Sequence, residues 1–399
     1  MTPLGLTVSE SWSGLIQGKS GIATISQFDA SAYDAQIAGE VKGFNPDEFV
    51  PKKEQKKMDR FIQFTLAATK MALTDSGLQV TEDDKPRIGT FIGVGMGGLP
   101  FIEAQHDILK ERGPGRVSPF FIPSVITNMA AGQVSMAYGF KGPNYCVTSA
   151  CASGAHAIGE ATNYIRNGKC DVMIAGGAEA VVTPMAIGGF AAMRALSTRN
   201  DNPSAASRPW DRDRDGFVLA EGVGVLVLED YEHASKRGAR IYAEVCGYGA
   251  SSDAYHMTTP SPGGEGASRA MKACLEDARI RPEQVDYINA HGTSTPAGDE
   301  LETEAVKRIF GDHAKKVWIS STKSMIGHTL GAAGAVESVI CTQAMATSIV
   351  PPTINLDNPS DDCDLDYVPK VAREKKLNYV LNNSFGFGGT NCSLLFGRI

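Results

Sequence analysis

The sequence has no CxxC pair and no Cys/His quartet at zinc spacing among its eight cysteines and seven histidines. That pattern argues against both a disulfide framework and a structural metal, so reduced thiols and no metal are expected. No run reaches the roughly 18 apolar residues of a membrane-spanning helix, and Met1-Thr2-Pro3-Leu4-Gly5 has no basic segment leading into an apolar stretch. Positive charge is not in surplus. With 21% charged residues and a net charge of −7, the whole-molecule field does not favour nucleic acid or an anionic membrane. Low-complexity linkers are missing as well. A cytoplasmic protein is expected, and any acidic partner has to be met by a local basic patch.

What is present is a long chain with a large apolar fraction. At 399 residues and 42% hydrophobic side chains it can bury an extensive core, and its length allows two or three units of domain size. Short β-rich runs alternate with amphipathic or Ala-rich stretches from end to end, which is the pattern of an α/β fold with mostly parallel sheets. In the first half, strands are expected at residues 87–94, 144–148, 171–175 and 224–229. In the second half they are expected at residues 241–245, 286–290, 317–321 and 379–383, with helices at 266–278 and 300–309 between them. The repeated rhythm suggests a duplicated α/β unit, with halves at 1–239 and 240–399.

Chemistry concentrates in a few short segments. Thr148-Ser149-Ala150-Cys151-Ala152-Ser153-Gly154 joins a strand to an Ala/Gly-rich helix, placing Cys151 on a tight turn at a helix N-terminus. Unpaired N–H groups and the positive end of the helix dipole there would favour the thiolate, the nucleophilic form. Asn289-Ala290-His291-Gly292-Thr293-Ser294-Thr295 and Ser321-Thr322-Lys323-Ser324-Met325-Ile326-Gly327-His328 each follow a strand. They therefore put imidazoles at strand ends, where α/β sheets carry their sites. His106, His233, His256 and His313 lie in no such setting. His156, five residues along the helix from Cys151, is turned away from the sulfur.

Two glycine-rich segments need sorting. Gly93-Val94-Gly95-Met96-Gly97-Gly98 matches GxGxxG after a strand, but the helical stretch 102–112 and Pro-rich sequence follow it. No second strand ends in a ribose-binding acid, so a dinucleotide site is not indicated. Ser384-Phe385-Gly386-Phe387-Gly388-Gly389-Thr390-Asn391 carries two aromatics on a backbone free to approach a ligand or to move.

Together the Cys151 turn, the two histidine loops and the Phe385–Phe387 loop resemble, in order and spacing, the signatures of the elongating beta-ketoacyl-acyl-carrier-protein synthases. Ser197-Thr198-Arg199-Asn200-Asp201-Asn202-Pro203, Arg208-Pro209-Trp210-Asp211 and Pro351-Pro352-Thr353-Ile354-Asn355-Leu356 agree with the same family, and the likeness covers nearly the whole chain. It implies a thiolase-like fold: two α/β halves, each with a five-stranded sheet, in five α-β-α-β-α layers, assembled as a homodimer. It also implies an acyltransferase of fatty acid synthesis, partnered by acyl carrier protein and needing no cofactor beyond the phosphopantetheine of its substrates.

By that resemblance Cys151 carries the acyl chain, and His291 and His328 point N–H groups at the malonyl thioester oxygen. The backbone N–H groups of Cys151 and Phe387 form the other oxyanion hole, with the Phe387 ring as a gate beside Phe385. Lys323 and Glu337 match the family's active-site lysine and buried carboxylate, as a structural ion pair fixing His328 or as proton carriers. Thr293 and Thr295 would bind the pantetheine arm. Met96 and Phe121 would shape the acyl tunnel, Phe121 by reaching toward the neighbouring subunit. Lys53, Lys56, Lys57 and Arg60, sharing one helix face by their spacing, would dock the acidic carrier protein with Arg116 and Arg194. A thiolase, with its Cys-His-Cys set, fits less well, and a non-catalytic ketosynthase-like partner would lack Cys151. Duty in polyketide assembly is compatible with the same motifs. Family members carry a further strand before the position of Met1, inside the first sheet. Its backbone neighbours are expected to lose a partner here, and the natural start is expected upstream.

Overall fold

The computed structural model describes all 399 residues. The strands of the first sheet are β1 (Ile88–Gly93), β2 (Asn144–Val147), β3 (Val172–Glu179) and β4 (Gly222–Glu229), in the spatial order β2-β1-β3-β4. β1 runs parallel to β2 and β3, and β4 is antiparallel to β3. Those of the second are β5 (Glu244–Ser252), β6 (Tyr287–Asn289), β7 (Trp318–Ser320), β8 (Tyr379–Gly386) and β9 (Thr390–Gly397), in the order β5-β9-β8-β6-β7. There β8, β6 and the edge strand β7 are parallel, and β9 is antiparallel to β8 and to β5. Every residue of β1 and of β3 is buried. Continuous apolar runs without alternation mark strands covered on both faces.

The layers follow from which helices cover these faces. Helices α1 (Arg60–Ser76) and α2 (Met129–Tyr138) lie outside the first sheet, while α3 (Ser153–Arg166) and α6 (Ala333–Thr347) sit between the sheets. The second sheet is covered outside by α4 (Glu265–Ala278), with α5 (Pro296–Phe310) packed against α4. The result is five layers, α-β-α-β-α. Small residues make the middle layer possible: a Cβ on Gly154 would meet the Ala335 nitrogen at 2.9 Å, and one on Gly334 would meet the Ala155 Cβ at 2.6 Å.

Three expectations require correction. The strand expected at 241–245 starts only at Glu244 and continues to Ser252. Gly247 and Gly249, which interrupt its apolar pattern, let α4 lie directly on the backbone: a Cβ on Gly249 would be 2.1 Å from the Ala270 carbonyl oxygen. β9 was not anticipated; it is the return arm of a hairpin whose tip is the Phe387–Gly389 loop. Finally, the sheets have four and five strands, not five each. The strand orders correspond position by position except beside β4, where the second sheet has β5. On that edge of β4 only Met1 pairs, its nitrogen donating to the Val223 carbonyl at 2.9 Å and its carbonyl accepting from Val223 N–H at 3.1 Å.

Candidate active site

β2 ends at Val147, and the chain turns through Ala150 at φ 49°, a left-handed conformation that side-chain-bearing residues adopt at a cost of about 1 kcal/mol or more. Ser153 holds the turn, its Oγ accepting from the Ser149 N–H at 2.9 Å and donating to the Ala150 carbonyl at 2.6 Å. Cys151 thus faces a cavity of about 580 Å³ two residues before α3 begins. Gly93 lets β1 approach this point, since a Cβ there would lie 2.3 Å from the Ser153 carbonyl carbon.

Both histidines open onto the same cavity, as do Thr293, Thr295, Phe385 and Phe387. The two imidazoles are 5.3 Å apart at their centroids and nearly perpendicular, and Phe385 packs edge-on against His291 at 5.7 Å. His328 is held through its backbone, N–H to the Val218 carbonyl at 2.7 Å and carbonyl to the Ala220 N–H at 2.9 Å. His291 is held by a carboxylate: Glu302, on α5, accepts from the N–H groups of His291 at 2.9 Å and Gly292 at 2.8 Å. Thr293 and Thr295 share a hydrogen bond at 3.0 Å.

Electrostatics separate the cysteine from the two histidines. Burial, then the Lys323 charge and then His328, hold His291 well below the ordinary histidine range, and burial followed by Lys323 does the same for His328. Both rings are therefore neutral N–H donors near pH 7. Burial pushes the Cys151 thiol up to about 12, against smaller opposing pulls from Lys323 and from the N–H groups of Phe387 and of Cys151 itself. Burial therefore works against the favouring of the thiolate expected from the helix end. Cys151 is only 9% exposed, and the hydration lost on burial opposes the stabilisation offered by the helix end. Lys323 and Glu337 form a hydrogen-bonded ion pair, both side chains 1% exposed.

The hairpin-tip loop rests on the Cys151 turn. Thr390 Oγ1 donates to the Ser149 carbonyl at 3.0 Å, and a Cβ on Gly386 would meet that same oxygen at 2.8 Å. The backbone N–H groups of Phe387 and Cys151 both face the sulfur.

The remaining expected residues are spread more widely. Met96 and Arg194 lie on the cavity wall and are exposed, whereas Phe121, at the start of the short helix Phe121–Val125, is not on it. The shared helix face for Lys53, Lys56, Lys57 and Arg60 does not exist: one helix spans Lys52–Gln55 and α1 starts afresh at Arg60. Pro51 begins the first, and Asp59, accepting from the Phe61 N–H, caps the second. Lys53, Lys56 and Arg116 are exposed. Lys57 pairs with Glu54 at 2.8 Å and its ammonium sits 5.5 Å from the Phe120 ring, close to the Arg116 segment. Arg60 is committed inward, to buried Glu221 at 3.2 Å and the Val41 carbonyl at 2.8 Å. Sequence reasoning missed Glu302 and Asp299, whose signal was a pair of acids at helical spacing on the buried face of α5. It also missed Glu179, an acid ending an otherwise apolar strand.

A cysteine and two neutral imidazoles opening onto one cavity of an α/β scaffold are the groups that a thiol-dependent acyl transfer would use. Residues 1–234 match the family model described as beta-ketoacyl synthase, N-terminal domain, and residues 242–357 that described as beta-ketoacyl synthase, C-terminal domain. The chain belongs to the beta-ketoacyl synthase family. It is 55% identical to the 3-oxoacyl-[acyl-carrier-protein] synthase 2 of Coxiella burnetii and 54% identical to that of Vibrio harveyi, over 100% of this chain and 96% of each relative. A solved beta-ketoacyl synthase from Burkholderia phymatum superposes with a TM-score of 0.93 at 38% identity, covering 100% of this chain and 97% of the other. A type II polyketide ketosynthase in complex with its acyl-carrier protein superposes at 0.92 with 35% identity, again over 100% and 97%. The fold is thiolase-like.

Proposed function

We propose that this chain is an elongating 3-oxoacyl-[acyl-carrier-protein] synthase, extending acyl chains by two carbons in fatty acid synthesis. The observation that carries the reading is the opening of Cys151, His291 and His328 onto one cavity. An acyl group passes from its carrier protein to Cys151 Sγ, and the carrier thiol leaves with the proton the cysteine gives up. Because the resting group is a thiol, that proton moves as the acyl group arrives. Malonyl-carrier protein then binds and loses carbon dioxide, and negative charge develops on its thioester oxygen. The neutral N–H groups of His291 and His328 stabilise that oxygen. Nδ1 of each ring has no protein partner, so neither ring is fully engaged before substrate arrives.

The enolate carbon attacks the acyl-cysteine carbonyl, the N–H groups of Cys151 and Phe387 hold the resulting oxyanion, and collapse releases the cysteine. Thr293 and Thr295 hydrogen-bond the pantetheine arm, and Phe387, 36% exposed at the hairpin tip, gates the acyl path. Met96 lines that path, and Phe121 contributes to it from a second subunit. Lys323 and Glu337 serve as the fixed charge pair behind the histidines. No cofactor beyond the carrier's phosphopantetheine takes part.

Lys53, Lys56, Lys57, Arg116 and Arg194 form the carrier-docking patch. A homodimer is supported by β2, whose outer edge has no strand beside it, and by the exposed Ile122 and Met136 on nearby helices. No helix is long and apolar enough to cross a membrane, in keeping with a cytoplasmic setting. The test is incubation with acyl- and malonyl-carrier proteins, following mass added to Cys151 and then 3-ketoacyl product. A Cys151→Ala protein that still condenses would overturn the reading.

A further inference from the structure

Glu179 touches no reacting atom in the chemistry above, its charge adding only a smaller upward push on the Cys151 thiol beside burial; it is fully buried and both its oxygens are engaged by backbone. Oε2 accepts from Gly95 N–H at 2.8 Å and from Gly331 N–H at 3.0 Å, while Oε1 accepts from Met96 at 3.1 Å and Gly97 at 3.2 Å. The donors come from two loops far apart in the chain. One is the glycine loop after β1, which carries Met96; the other is the turn after His328, which carries Leu330.

Those two residues lie on the wall of the cavity that holds Cys151. Leu330 sits at φ 46° and belongs to the same apolar cluster as Cys151. The loops leave no room for a looser fit: a Cβ on Gly331 would lie 2.2 Å from the Gly95 nitrogen and 2.7 Å from Glu179 Oε2, and one on Gly95 2.6 Å from the same oxygen. One carboxylate therefore fixes two cavity walls against each other.

We propose that Glu179 is a positioning residue for acyl-chain specificity, clamping the Met96 loop to the Leu330 turn so that the apolar wall beyond Cys151 is preformed. The inference rests on the reading that this cavity receives the acyl chain. A short acyl group ends near the sulfur and does not depend on the wall, whereas a long one buries its far methylenes against it. Each methylene left unburied lowers affinity about fourfold.

The test is the rate of mass addition to Cys151 from carrier proteins bearing four- to sixteen-carbon chains. It compares wild type with full-length Glu179→Gln, whose amide nitrogen would face backbone N–H groups in place of an oxygen. Loading of the four-carbon chain should stay within about twofold, and loading of chains of twelve carbons or more should fall about tenfold or further. A fall that is equal at all lengths, or an unchanged profile, overturns the proposal. Gly331→Ala pushes the clamp apart from the other side with Glu179 intact, and should give the same length-dependent loss. If neither variant folds, Glu179 serves stability alone and the specificity role is refuted. Wild-type protein that loads no chain at all would overturn the proposed function instead, and is distinguishable from every result above.

Discussion

Lys323 Nζ donates to Glu337 Oε1 in a site where neither side chain meets solvent, directly behind the two cavity histidines. Burial raises the Glu337 carboxyl to about 7 even though the lysine pulls the other way, so the pair is held against a desolvation cost. Lys323→Ala strands a buried carboxyl and should destabilise the protein by roughly 3–5 kcal/mol in denaturant unfolding. Replacing both partners, Lys323→Met with Glu337→Leu, should recover most of that loss. The lysine charge is also one of the causes that lower both histidines. In the folded double variant, NMR titration with carbon-labelled histidine should therefore show both imidazole pKa values moving up. Unchanged values would mean that burial alone keeps the rings neutral.

The thiol state of Cys151 is open to a direct measurement. With its pKa raised to about 12 by burial, the thiolate fraction should increase about tenfold per pH unit throughout the neutral range. Alkylation of Cys151 by iodoacetamide, followed by mass spectrometry, should accelerate from pH 6 to pH 9 without a plateau. A plateau near pH 6 or 7 would show that the helix end and Lys323 outweigh burial after all.

On the proposed mechanism the histidines act on the malonyl oxygen alone, whereas the sulfur is already required for loading, and single substitutions should separate the two steps. His291→Ala removes one preorganised donor at the malonyl oxygen and should slow malonyl decarboxylation about 100- to 1,000-fold. Loading of Cys151 by acyl-carrier protein should change far less. Glu302→Gln should give a smaller loss of the same kind, because that carboxylate holds the backbone of His291 and Gly292. Equal losses in both half-reactions would mean that His291 serves the cysteine as well.

Much of this site was legible because short motifs carry local geometry. The glycines and alanines around Cys151 announce a tight turn, and the histidine loops sit just after short apolar runs that are indeed β6 and β7. What was not legible depends on contacts between distant segments. Glu179 receives backbone N–H groups from segments 82 to 152 residues away, Glu302 receives those of His291 and Gly292 across a loop 11 and 10 residues back, and no local pattern distinguishes an acid that receives such donors from one facing water. The burial that opposes ionisation of the cysteine was not legible for the same reason, since it is a property of the assembled layers. The extent of β5 to Ser252 escaped because Gly247 and Gly249, which look like turn residues, are there to admit a helix.

The proposed docking patch gives the sharpest contrast between spacing and structure. Four cations at three- and four-residue intervals suggested one face, but the helix break between Gln55 and Arg60 divides them, and Arg60 turns inward to Glu221, whose side chain is 1% exposed. Lys53→Glu should weaken binding of an acidic carrier protein, with the deficit shrinking as salt rises from 50 to 300 mM, because exposed charges are screened. Arg60→Ala should instead cost roughly 2 kcal/mol of stability, as the buried carboxylate loses its partner while Val41 N–H still donates to it at 2.9 Å. Surface plasmon resonance at the two salt concentrations, read beside denaturation curves, separates these roles. If Arg60→Ala loses carrier binding without losing stability, then its guanidinium leaves Glu221 when the partner arrives, and the ion pair is a latch on the docking surface.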